Sequence, residues 1–115
     1  MHYMLLIHGN ETAMRTATQE DTGRILAAYG AYTEAVKQAG ILVGANRLQP
    51  TGTATTVRVV DGKTQVLDGP YAETKEQLAG YYLIDVPDLD AALSWAARCP
   101  GASYGAVEVR PIWAM

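Results

Sequence analysis

The sequence predicts an α+β fold on the ferredoxin-like, split βαβ plan with an inserted β-hairpin and an antiparallel sheet. Three observations predict it. Strand-like and helix-like patterns follow one another as strand, helix, strand, strand, strand, strand, helix, strand. Asp61-Gly62, a strong two-residue hairpin signal, joins the middle pair of strands. Without that pair the order is β-α-β-β-α-β, in which two amphipathic helices cover one face of the sheet.

Each element has a local reason. Residues 2–8 alternate, with Tyr3, Leu5 and Ile7 on one side and His2, Met4, Leu6 and His8 on the other. Both sides are largely apolar, which predicts cover on both faces. Gly9-Asn10 ends this strand, and residues 10–17 carry no readable pattern. Thr18 is a helix cap, followed by Glu20 and Asp21 at the positive end of the helix dipole. Ile25, Tyr29, Tyr32, Val36 and Ala39 then form one apolar stripe, and Gly40 is the stop. A second strand over 41–48 is broken by Pro50-Thr51-Gly52, and β-branched residues 53–60 return through the hairpin into 63–67. Residues 78–86 form the next strand. Pro87 ends it, and Asp88 caps a helix over 89–99 with Leu89, Ala92, Leu93 and Ala96 inward. Pro100-Gly101 stops that helix before a last strand over 106–113.

Composition bounds the function. The 115 residues fit one domain spanning 1–115, and 49% apolar with 18% charged residues is globular. The net charge of −3 provides no basic field for nucleic acid or an anionic membrane. No apolar run is long enough to span a bilayer, and no basic-then-apolar leader opens the chain. With Cys99 alone, no internal disulfide forms, and a cytoplasmic setting is expected. Metal binding is not expected: His2 and His8 are too far apart on one strand, and there is no Cys cluster or HExxH pattern. No cofactor is expected either, since the chain has no phosphate-cradling glycine motif.

The connection from Asp68 to Gln77 is the candidate functional loop. Asp68-Gly69-Pro70 is a turn sequence, and Asp68, Glu73, Lys75 and Glu76 are charged. It is longer than a hairpin needs, and such ordered charged loops often carry function. By strand parity His8 faces away from Tyr3, and Glu108 and Arg110 share its side. A histidine beside a carboxylate can act as a general base, with Asp68 the expected partner if the loop folds over the strand ends. His8 and Asp68 are therefore the catalytic candidates. Arg47, Lys75 and Arg110 are candidates for binding an anionic small molecule, with Tyr71, Glu73 and Glu108 beside them. The side of the sheet bearing Met4, Leu6 and a tyrosine row would remain an apolar patch in a single copy, which predicts a homodimer packed sheet to sheet.

The run Asp68-Gly69-Pro70-Tyr71-Ala72-Glu73-Thr74-Lys75-Glu76 resembles the DGPF (DGPFAETKE) branch of the YCII-related proteins, with Tyr71 in place of phenylalanine. The likeness extends to residues 3–7, 77–84 and 107–111 and so covers nearly the whole chain. It implies a dimeric α/β barrel. It also implies either a lyase- or isomerase-like enzyme without organic cofactor, its pocket under the loop, or a regulatory or ligand-sensing module associated with extracytoplasmic-function sigma factors. In lyase-like members a histidine on the first helix pairs with an aspartate. This chain has no histidine there, and Tyr29 lies near that position. The resemblance therefore implies a mechanism rebuilt around His8 or Tyr29 with Asp68.

Overall fold

The computed structural model describes residues 1–114. The main sheet is antiparallel, in the order β2-β5-β1-β6, built from β1 (His2–Gly9), β2 (Leu42–Arg47), β5 (Gln77–Asp85) and β6 (Ala106–Pro111). Two main helices, α2 (Gln19–Gln38) and α3 (Leu89–Arg98), lie on one face of it. The predicted hairpin is present as β3 (Thr55–Val60) and β4 (Lys63–Asp68), which form a separate two-stranded sheet. Asp61 and Gly62 both take positive φ, 51° and 76°, the geometry an Asp-Gly turn requires. The architecture is thus the α+β, ferredoxin-like plan read from the sequence. Within one chain the sheet is open, with β2 and β6 as its edges, and does not close into a barrel.

Two short helices were not legible in the sequence. Residues 10–17 contain α1 (Glu11–Arg15), and the chain after Pro100 contains α4 (Gly101–Tyr104). Neither is long enough to show a helical repeat. The last strand ends at Pro111, although Ile112 N–H still donates to the His2 carbonyl. The caps are as expected where they were read: Thr18 accepts from the Asp21 amide and Asp88 from the Ala91 amide. Asn10 does the same for the Ala13 amide at the start of α1. Such caps contribute about 1 kcal/mol each.

The core lies between sheet and helices. Tyr3, Leu5 and Ile7 of β1 and Tyr82 and Ile84 of β5 meet Tyr32 and Val36 of α2 and Ala92 and Ala96 of α3. Leu5, Ile84 and Val36 are fully buried, each contributing about 1.5–3 kcal/mol. Two buried tyrosines have hydroxyl partners: Tyr32 Oη donates to the Trp95 carbonyl at 2.7 Å, and the Tyr82 and Thr33 hydroxyls lie 2.6 Å apart. The opposite face carries Met4, Leu6, Tyr81 and Leu83, all half-buried, so a single chain covers only one of the two apolar faces. Among the described residues, no helix is long and apolar enough to cross a membrane.

Candidate functional site

Helix α2 is seated on the sheet only through its C-terminal half, where Tyr32 and Val36 are buried. Its N-terminal half stands away from the sheet, and the space beneath is a cleft of about 570 Å³. The floor comes from the ends of β1, β2 and β5, one wall from α2, and the far end from α4. Ile25, Leu26 and Tyr29 supply the apolar wall, and Thr33, Tyr82 and Arg47 bring polar groups. His8, Glu11 and Arg15 also line it.

Tyr29 is held by a close fit. A Cβ on Gly101 would lie 2.6 Å from Tyr29 Oη and 2.7 Å from Ile7 Cγ2, so only glycine lets α4 approach this closely. Burial, followed by the neighbouring Cys99 thiol, pushes the Tyr29 hydroxyl well above its ordinary value. It stays protonated at neutral pH. Burial also raises Tyr82, with the Thr33 hydrogen bond opposing it. The Cys99 thiol is free, buried and raised by burial, which makes it an inert packing group. Glu11 is engaged in the scaffold, accepting from the Thr51 amide and hydroxyl at 2.7 Å each.

His8 sits where the open face meets the end of the cleft. The β1–β6 register sets Leu6 opposite Glu108 and Met4 opposite Arg110, which places both charged groups on the His8 side. His8 Nε2 lies 3.3 Å from Glu108 Oε1, an ion-pair distance, but has no aligned hydrogen-bond partner. Glu108 also holds Arg110, and that hydrogen bond, with a smaller effect of His8, keeps its carboxyl below the usual carboxylate range. Glu108 is therefore ionised beside the imidazole at neutral pH.

The parity argument thus succeeded for His8, Glu108 and Arg110, while the loop argument did not. Asp68 ends β4, paired with Thr55 in the second sheet, and the carboxylate beside His8 is Glu108. The hairpin carries Asp68 off with it, since Asp68 is fixed by its own ladder. Tyr71 lies under Arg58, 4.8 Å from guanidinium carbon to ring centroid, and belongs to the hairpin. Glu73 and Lys75 are exposed. Only the end of the loop reaches back: Gln77 Oε1 accepts from the Glu11 amide at 3.0 Å, and Gln77 Nε2 donates to the Thr74 carbonyl. The pocket expected under the loop therefore lies under α2 instead, and of the predicted site residues His8 and Arg47 line it. The sequence puts Tyr29 on the apolar stripe, with the family likeness offering it as an alternative to His8, and gives no sign of Thr33, Tyr82 or Arg15 in a site. Tyr29 packs against the core and also lines the cleft. A helical stripe marks which residues face the sheet, not whether the helix touches it. Among the described residues no cluster of metal-ligating side chains occurs.

The comparisons with known proteins agree with this architecture. A family described as the YCII-related domain matches residues 1–115. An uncharacterised protein, R00369 of Rhizobium meliloti (strain 1021), is 41% identical over 114 residues, covering 97% of this chain and 92% of that protein. Among solved structures, the 5-chloro-2-hydroxyhydroquinone dehydrochlorinase of Burkholderia phenoliruptrix AC1100, in complex with 2,5-dihydroxybenzoquinone, superposes with a TM-score of 0.60. That likeness covers 98% of this chain and 94% of the other at 15% identity, and it speaks for the fold. With the whole chain matched, this protein belongs to the YCII-related domain family.

Proposed function

We propose that this protein is a cofactor-independent enzyme of the lyase or isomerase kind, acting on a small ring compound in the cleft beneath α2. The observation that carries the reading is the cleft itself: an apolar-walled space of about 570 Å³ with few polar groups set into it. That is the size and make-up of a small-molecule site. His8 lines the end of the cleft with Nε2 turned to Glu108 Oε1 at 3.3 Å, and the other ring nitrogen, Nδ1, is the proton acceptor. The protonated Tyr29 hydroxyl donates to the substrate oxygen on which negative charge develops. Arg47 pairs with an anionic group of the substrate. In an isomerisation the proton taken by His8 returns at another carbon. In an elimination a carbon–leaving-group bond breaks as the proton is lost, and the leaving group departs as an anion. Both balance without an oxidant or reductant.

The structural neighbour is named for removing chloride from a hydroxylated ring and was solved with a quinone, which supports a ring-sized substrate. A homodimer that covers the Met4, Leu6, Tyr81 and Leu83 face belongs to the same reading, as does a cytoplasmic setting in which Cys99 stays free.

The test is a crystal soaked with 2,5-dihydroxybenzoquinone and with small aromatic and aliphatic carboxylates. Density under α2 beside Tyr29 and Arg47 is expected. Tyr29→Phe should then weaken binding of the hydroxylated rings roughly tenfold, the effect of one lost hydrogen bond. Ligand bound only on the loop around Tyr71, or no cleft density with any of the compounds, would overturn the reading.

A further inference from the structure

The β3–β4 hairpin is a surface that the proposed chemistry does not use. Its hydrogen bonds among residues 54–69 run within itself, including Gly69 N–H to the Ala54 carbonyl and the Thr56 hydroxyl to the Gly69 carbonyl. It therefore stands off the body as an arm. The register divides its side chains cleanly. One face carries Thr56, Arg58, Val60, Leu67, Gln65 and Lys63, with Tyr71 stacked under Arg58. The other carries Val57 opposite Val66, Val59 opposite Thr64, and Thr55 opposite Asp68. On that second face Val57, Val59 and Val66 are 60%, 68% and 62% exposed.

A bare two-stranded ribbon is at best marginally stable in water. An exposed row of valines on it is a liability unless something covers it continuously. The surface area of the whole chain leaves room for such cover in addition to cover of the open sheet face. It exposes 8093 Å², where a compact chain of 12.4 kDa exposes about 6,100 Å² by the usual scaling. The excess, roughly 2,000 Å², is more than the ~800 Å² each partner gives up in a standard interface. The radius of gyration, 16.1 Å, likewise exceeds the ~13 Å of a compact chain of this length.

We propose that the Val57, Val59 and Val66 face of the arm is an interface, covered by the same face of a second copy of this chain. The face is self-complementary, as a two-fold contact requires. Its apolar centre can meet its own image at sheet-packing distance without like charges opposed, because Arg58 and Lys63 lie on the other side and only Asp68, at the base, is ionised. This interface is separate from the sheet-to-sheet contact through Met4 and Leu6, and it stands whether or not the cleft is catalytic.

The experiment is sedimentation velocity over a concentration series for the wild type, for Val57→Glu with Val66→Glu, and for Leu6→Glu. The arm variant is expected to lose one association step, weakened at least about a hundredfold by charges placed in an apolar contact. Leu6→Glu should retain that step. Hydrogen exchange on the wild type gives an independent reading should the arm variant not fold: amides of residues 55–68 should be protected at high concentration and lose protection on dilution. The same mass for wild type and arm variant at every concentration overturns the proposal. So does arm exchange that is fast and independent of concentration.

Discussion

Strand β1 and the β3–β4 arm are built from similar material and have opposite fates. Each carries an alternating apolar row, Tyr3, Leu5 and Ile7 in β1 and Val57 and Val59 in β3. In β1, Leu5 is completely buried beneath two helices. In the arm every residue of both strands except Thr56 is exposed. Both alternate an apolar row along a strand, but the arm also carries Arg58, Lys63, Gln65 and Asp68, and no second layer covers it. Strand propensity describes fit to a pleated surface, and a core forms only where a second layer arrives. Helix α2 repeats the contrast along its own length. Its seated half contributes Tyr32 and Val36 to the core, while its raised half leaves the cleft.

The largest expected effect sets the two strands against each other. Leu5→Ala should cost about 2–5 kcal/mol, since it opens a cavity between sheet and helices. Val59→Ala in dilute, dissociated protein should change stability by no more than about 0.5 kcal/mol. Urea unfolding measures both. Equal losses would show that the arm is already part of a packed core within one chain.

The seated and raised halves of α2 are separated by Gly101→Ala. The added methyl meets Tyr29 Oη and Ile7 Cγ2, both inside 3 Å, so α4 must move. Overpacking of this kind costs about 1–3 kcal/mol, and it should disturb ligand binding in the cleft more than it disturbs the β1–β5 ladder. Thermal melts and amide exchange resolved by strand would distinguish the two.

Alkaline pH tests the tyrosines that the helices bury. Tyr29, Tyr32 and Tyr82 are all raised above the ordinary 10.0, chiefly by burial. Their folded state holds its protons more tightly than the unfolded one. The associated stability is therefore complete below pH 10 and declines as pH rises beyond it. Tyr32→Phe should make this decline shallower, read from melts between neutral and strongly alkaline pH. A profile unchanged from the wild type would mean that this hydroxyl is not buried in solution.

The smallest effect belongs to the open face. Glu108 is held below the ordinary carboxylate value by Arg110 and then His8. Its contribution is present above that ordinary value and is lost as pH falls through the lowered one. Glu108→Gln should flatten the acid limb of stability slightly while freeing the His8 ring, which ¹H–¹⁵N spectra of the imidazole would report. An unchanged His8 spectrum would show that the pair does not persist in solution.

Much of this molecule was legible in local chemistry. Thr18 and Asp88 declared their helices through capping, Asp61-Gly62 its turn through positive φ, and Tyr3, Leu5 and Ile7 their face through alternation. The contact of His8 with Glu108 followed from the same parity. The site was much less legible. The charged loop drew attention to Asp68, Tyr71, Glu73 and Lys75, yet charge on a surface segment says nothing of what it faces. Helices α1 and α4, which frame the cleft with Arg15 and Tyr104, were too short to leave a periodic trace.

The order of the main strands and helices, their caps and turns, and the apolar side of each strand are readable from the chain, because these depend on neighbours a few residues apart. That α2 rises off the sheet, that Tyr29 lodges against Gly101, and that Asp68 departs with the arm emerged from the assembled layers. Those outcomes depend on how layers distant in the chain fit together, and packing of that kind is a property of surfaces in contact, which no local run of residues encodes.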